Sequence, residues 1–578
     1  MNAATPQQQA PSRFTSLLSY AILLGGVATI GVTLYLVVIS YSSLPYWDGW
    51  TQFDVAARGD SSFSPAWLWQ LHNEHRLVIP KLFLGVDLRL FQGRQSFLLA
   101  SIFVIQLLHL GLLSWSMRVL GGWGGVLWRT GTGLAAFCLF CPAQWQNFIW
   151  GFQVCFVLPQ LFATLSFLSL LLYWTESNRK PDGPLSSKYL VVSVLAALGA
   201  SYSLSNGNLL WPLLIVAALY LRLRRTPVLA FVVTGAVSTA FYLYHYVRPP
   251  EHADPIASLR TPLAVLKYWA AYFASSWTHH DFHASELIVL APITIVILVL
   301  LPALSYARAF RPFAIQLVLI MLFCAATGLV TAAGRLNFSM GQALSSRYQT
   351  VALLFWCCLG LLLLGAAFAR PGKSDAFVLA QLCLLLILGR GAVIARYPLR
   401  AVRQHAFEQN AIAASLLTGV QDRMTLSFAY PRTDMLLLTV PYMKANRLSV
   451  FADRVTATLG KPLESVFPDT RPDDCMGAVE SVARIDDLTG PGLRIRGWAW
   501  DRKHQQIPEG IVVTTGGIIN GLGAAGEWPP RSHETDRGIA SDHAGFVAFT
   551  PEPPADSAVR LYTILGSHPP AACYFAAP

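Results

Sequence analysis

Asp48 is the first residue that could do chemistry, in the run Tyr46-Trp47-Asp48-Gly49-Trp50 directly after a long apolar stretch. A carboxylate at the rim of a membrane core, between two tryptophans that favour that depth, is poorly solvated. Poor solvation raises its affinity for protons and suits it to take one from a hydroxyl. The plainer use of such an Asp is to cap the helix that follows. Further along stand His72-Asn73-Glu74-His75-Arg76 and Lys81, after Ser64-Pro65. Ser-Pro opens helices, so the spacing predicts an amphipathic helix along the membrane surface, with His72, His75 and Arg76 on one face. With Lys81 these form a basic patch for phosphate, because guanidinium and ammonium groups make charge-assisted bonds to phosphate oxygens. Glu74 supplies a second carboxylate. Histidines beside a carboxylate are also metal-ligand types, here and at His279, His280, Asp281 and His283. On a helix, however, Glu74 points away from His72, and a solvated loop accounts for the second group. A divalent metal stays an option with no ligand set assigned.

Two more groups belong with these. Gly334-Arg335 and Ser345-Ser346-Arg347-Tyr348 flank a short segment between apolar runs. An anionic ligand there, or snorkelling to lipid head groups, would account for their arginines. The turns Gln144 to Gln153 and Ser205-Asn206-Gly207-Asn208 offer Gln146, Asn147, Gln153, Asn206 and Asn208. With Trp47, these amides would line a sugar or acceptor pocket, or merely end helices.

The elements that must position these residues are apolar. Of 578 residues, 54% are hydrophobic and 13% charged, and the mean hydropathy is +0.47, which excludes an ordinary soluble enzyme. The net charge of +11 alone would suit a nucleic-acid partner. But the basic excess lies wholly before Arg396, in short segments between apolar runs, so nucleic acid is not expected. A bilayer core about 30 Å thick takes about 20 apolar residues per helix. Eleven candidate runs lie near 17–40, 96–117, 124–143, 152–174, 188–205, 208–222, 227–246, 286–305, 313–333, 349–369 and 376–395. The first is longer than a signal-peptide core and is read as a retained span. Lys and Arg crowd alternate short loops, among them Arg118, Arg129, Arg179, Arg222, Arg224, Arg308 and Arg370, which puts those loops and the N-terminus inside. The opposite side receives Asp48, Glu74, Asn206, Arg347 and the tail.

That tail divides into a helical connector, 396–470, and a β-rich module, 471–578, in which Leu493 to Trp500 alternates with the two-residue period of a half-buried strand. The expected module is a small β-sandwich. Trp498, Trp500, Phe546 and Tyr562 would stack on sugar rings or, as is commoner, fill its core. Cys475 and Cys573 bracket the module, and a disulfide between them would suit an oxidising compartment. The expected architecture is thus an α-helical polytopic membrane protein of about eleven spans, residues 1–395, with this exported tail.

Within the runs ionisable groups are nearly absent, His109 being the exception well inside a span. Ion-coupled transporters place such groups at the midplane; here polar chemistry gathers at one face, as an enzyme working there would have it. Taken together, Tyr-Trp-Asp48-Gly-Trp, His-Asn-Glu74-His-Arg76, Gln-Asn-Phe-Ile-Trp-Gly-Phe-Gln153, Ser-Asn-Gly-Asn208, Ser-Ser-Arg347-Tyr and the closing Gly-Trp-Ala-Trp-Asp501 resemble the GT-C superfamily of polytopic glycosyltransferases, in an uncharacterised bacterial inner-membrane branch. The resemblance implies a sugar moved from a polyprenyl-phosphate donor to a hydroxyl of a glycan, lipid-linked or protein acceptor on the periplasmic face. It assigns Asp48 or Glu74 as the base, and His75, Arg76, Lys81, Arg335, Arg347 and Tyr348 to the donor phosphate. The doublet of adjacent acids found in some members is missing, since Gly49 follows Asp48. The alternative is a flippase or transporter for a lipid-linked sugar, which would carry polar groups through the membrane depth.

Overall fold

In the computed structural model, the apolar runs are helices whose outward faces only lipid would tolerate. The structure describes residues 12–577 except 60–62, 180–186, 248–253, 255–257, 259, 277–299, 301, 371–373, 395, 472, 487, 489, 528–542, 555–556 and 567–570. Among the described residues seven helices are long and apolar enough to cross a membrane: Arg13–Ile39, Ser96–Val119, Gly125–Ile149, Gly151–Arg179, Arg225–Leu243, Pro302–Arg335 and Ser346–Phe368. Three more, Ser187–Ser201, Ser205–Tyr220 and Asp375–Gly389, are apolar but shorter. The run 286–305 and the histidines at 279, 280 and 283 fall largely or wholly outside the described residues. Leu229, Val233, Val237 and Phe241 form a stripe at every fourth position, all exposed, which is the face a helix turns to hydrocarbon.

Inside the bundle some of the few polar side chains pair with one another. His109 meets the Thr164 hydroxyl at 2.9 Å, and Gln316 donates to Ser116 at 3.2 Å. His109 thus has one ring nitrogen paired inside the core, while its buried Nδ1 has no partner among the described residues. The loop ends divide by chemistry. At one end Arg118 lies 4.0 Å from the Trp128 ring centroid and Arg370 4.7 Å from that of Tyr306. At the other end lie Asp48, the Asn206 turn and Arg347.

The segment after the first helix departs from expectation. Ser64 does cap a helix, accepting from Trp67 N at 3.1 Å, but that helix ends at Trp69. His72 and His75 then exchange two backbone hydrogen bonds, 2.8 and 2.9 Å, in a tight hairpin whose Asn73 has φ +49°. The next helix, Val78–Leu90, begins only after it. Asn is among the few residues that tolerate left-handed backbone, so this sequence turns where helical spacing was expected, with Asn73 and Glu74 at the tip and His72 and His75 at the paired base.

The tail contains the helices Arg396–Thr418, Arg423–Ala429 and Thr433–Ala445. They pack on the first loop: Trp50, Phe53 and Leu88 share one core with Ile412, Leu426, Leu436 and Met443. Arg94 grips Asp453 at 2.7 Å, and Asp453 also accepts from Ser43. The β-module is a correction to the sandwich. Its strands β1 Cys475–Ile485, β2 Gly492–Asp501, β3 Gly510–Thr515, β4 Ile518–Glu527, β5 Gly545–Pro551, β6 Val559–Leu565 and β7 Ala571–Ala576 form one antiparallel sheet in the order β1-β2-β5-β4-β3-β6-β7. It curls as a half-barrel until its edges meet, where Cys475 and Cys573 form the expected disulfide. The concave side encloses Ile495, Val513, Phe546 and Leu561. Instead of a second sheet, Phe407, Ala411 and Ala414 of the helix cover Ile519, Leu522, Val547 and Phe549. Trp498, Trp500 and Phe546 are buried and unavailable for stacking on a sugar.

Candidate active site

Asp48 follows the helix Arg13–Ile39 on a short turn, Trp47–Trp50, held by the Thr51 hydroxyl donating to Asp48 O at 2.7 Å. No helix start among these turns uses its carboxylate as a cap. Instead Asp48 lines a cavity of about 370 Å³ at the polar end of the bundle. The His72–His75 hairpin, the Asn206 turn, the end of the helix Arg311–Arg335 and the Arg347 turn line the same space. Residues as far apart in sequence as Asp48 and Arg347 thus meet at one site.

Two acid and two arginine side chains face this space, and they are not equivalent. Glu74 Oε1 lies 3.0 Å from the Arg335 guanidinium and 3.3 Å from His75 Nε2. Among the described residues Asp48 has no arginine partner, and its ionisable contact is His72 Nε2 at 3.8 Å. Burial holds His72 below the usual imidazole range despite the pull of Asp48, which favours a neutral ring. Arg347 stacks over Tyr348, 5.3 Å from its centroid, and its buried Nε has no hydrogen-bond acceptor. Tyr348 in turn stacks on Tyr272. The cavity therefore presents one carboxylate without an arginine and one guanidinium without a carboxylate.

The other expected residues divide. Asn206 and Asn208 line the cavity; their Oδ1 atoms are buried and lack a donor, as is Gln160 Oε1 on the same wall. Gly207 fits between them because its backbone packs directly on the Ala200 carbonyl, where any Cβ would collide. Gln146 and Asn147 are corrections, since neither lines the cavity. Gln146 Oε1 accepts from Arg347 N at 3.2 Å, and Asn147 Nδ2 donates to Arg347 O at 2.8 Å, so they position the arginine. Gln153 is buried with neither amide atom paired and is also outside the lining, as is the partly exposed Trp47.

Arg76 and Lys81 are corrections too. Arg76 is 3% exposed and gives its guanidinium to the carbonyls of Tyr242 (2.7 Å), Trp69 (2.5 Å) and Tyr244. Lys81 Nζ donates to Trp67 O and Gln70 O, each at 2.6 Å, and burial pushes its ammonium down to about 8. Both bond carbonyls at the C-terminal ends of the helices Pro65–Trp69 and Arg225–Leu243, which no helical N–H reaches, and neither lines the cavity. Gln160, Thr327, Thr331, Tyr242 and Tyr272 line it without having been singled out. An amide inside the apolar run 152–174 was the available signal for Gln160.

Among the described residues no three His, Cys, Asp or Glu side chains stand together as a metal would require. Neither a protein-family model nor a curated protein matches the chain.

Proposed function

We propose that the chain is a membrane glycosyltransferase of the GT-C type, moving a hexose or pentose from a polyprenyl-phosphate donor to an acceptor hydroxyl. The single observation that carries this reading is the cavity in which an arginine-free carboxylate, Asp48, and a carboxylate-free guanidinium, Arg347, face one space at the rim of an apolar bundle. Glycosyl transfer from a phosphate needs that pair. The acceptor oxygen attacks the anomeric carbon opposite the phosphate, the carbon–oxygen bond to phosphate breaks, and the electron pair leaves on polyprenyl phosphate. Asp48 takes the hydroxyl proton, an assistance of about 10²- to 10⁴-fold in many enzymes. Arg347 holds the charge that gathers on the leaving phosphate, where little water competes. Glu74, bound to Arg335 at 3.0 Å, orients that guanidinium and is less suited to be the base. The unsatisfied Asn206, Asn208 and Gln160 oxygens match the hydroxyl donors of a sugar.

In this reading the full bundle has about eleven spans, the polar end and the tail face the periplasm, and the membrane is the bacterial inner membrane. Membranes carrying Asp48→Asn are expected to lose transfer of labelled sugar by about 10²-fold or more while still binding polyprenyl phosphate. Arg347→Ala is expected to weaken that binding about tenfold or more, and Arg370→Ala at the other end to leave it unchanged. Normal transfer by a folded Asp48→Asn protein would falsify the assignment.

A further inference from the structure

A second cavity, of about 250 Å³, shares His72, Asn73, Leu77 and Phe152 with the first, so the hairpin and one aromatic ring form the wall between them. Its outer side is built by the connector, through Tyr430, Arg432 and Met435. The lining is of a different kind from the first. Gln52 is 4% exposed, faces this space, and has no hydrogen-bond partner for either amide atom. A buried amide left so is costly unless something in the cavity meets it. Among the described residues charge is unbalanced as well: Arg58 is taken up by Asp54 at 3.0 Å, which leaves Lys81 and Arg432 as cations of this cavity. The Lys81 ammonium donates to two backbone carbonyls and lies 5.5 Å from the Trp67 ring centroid, at the edge of this cavity.

We propose that this second cavity binds the acceptor, that the acceptor is an anionic, hydroxyl-bearing glycan, and that the connector selects it through Arg432. The proposal rests on the glycosyl-transfer reading. Polar amides suit hydroxyls, and two cations suit a uronate or a phosphodiester. The acceptor hydroxyl reaches the first cavity past His72, which lies 3.8 Å from Asp48. There the oxygen forms its bond to the anomeric carbon, the bond from that carbon to phosphate breaks, and the proton passes to Asp48.

The test uses the full-length protein in nanodiscs, with hexagalacturonate, its methyl ester and a phosphorylated mannose oligosaccharide as glycan probes. Undecaprenyl phosphate is titrated separately. Hexagalacturonate or the phosphoglycan is expected to bind at least about tenfold more tightly than the ester, the stronger of the two naming the source of the anion. Arg432→Glu, at an exposed site, and Gln52→Leu are each expected to weaken that binding about tenfold and to leave undecaprenyl phosphate binding unchanged. Equal affinity for the ester, no binding of any glycan, or binding unaffected by both variants overturns the proposal. A wild-type protein that fails to bind undecaprenyl phosphate would instead sink the underlying reading of the first cavity.

Discussion

Two arginines of the outer loops show how differently the same side chain is used. Arg347 keeps a buried Nε without an acceptor, whereas Arg76 spends its guanidinium on three backbone carbonyls. Arg76→Leu is therefore expected to destabilise the protein, on the order of 2–4 kcal/mol for charge-assisted bonds left unmade, read as a lower melting temperature in detergent. Its affinity for polyprenyl phosphate, measured on the folded fraction, should stay within about twofold; a loss of tenfold or more would return Arg76 to the phosphate site. The sequence made Asp48, Glu74, Arg335, Arg347 and the Asn206 turn legible, because each is a polar group where an apolar run ends, and such ends share one side. It could not separate Arg347 from Arg76. That distinction depends on which carbonyls the folded loop leaves unpaired, and helical spacing gives no hint of them.

At the scale of elements, the helices were legible and the hairpin was not. Apolar length marks a span, but His72 to Arg76 fits a helical face as well as a turn, and only Asn73 with φ +49° decides it. Asn73→Val, a β-branched residue forced into left-handed backbone, is expected to lower stability and transfer together, whereas Asn73→Gly retains both. The β-module was misread for a related reason. Residues Gly545 to Thr550 of β5 are all buried, because a helix covers the face that a sandwich would give to a second sheet, and the covering helix lies far away in sequence. The helix Val78–Leu90 carries a titration of its own. Asp87 is fully buried, with Oδ2 accepting from Gln95 N at 3.3 Å, and burial pushes its carboxyl up to about 7. The folded state then binds this proton more tightly than the unfolded chain. The stability it lends is full below the ordinary value of 3.8 and is lost as pH rises through about 7. Asp87→Asn should thus melt higher than the parent at about pH 8, less so at about pH 5, and alike at about pH 3; an unchanged difference across that range would refute the titration.

Across the whole molecule, the tail is docked, since the buried Leu436 and Met443 share a core with Trp50 and Phe53 of the first loop. Leu436→Asp, which places a charge in that core, is expected to free the connector for protease cleavage between 419 and 470. Asp453→Ala removes a partly exposed pair with Arg94, worth about 1 kcal/mol or less, and the hydrogen bond from Ser43, and should leave the connector protected. The two cavities share a thin wall of His72, Asn73, Leu77 and the Phe152 ring, so ligands on its two faces are expected to be coupled. Whatever seats itself on one side sets the stance of His72 on the other, and by linkage the influence runs equally in both directions. Equilibrium titrations with an unreactive donor analogue should accordingly show each ligand shifting the dissociation constant of its companion by one common factor, a thermodynamic handshake across a single turn of chain.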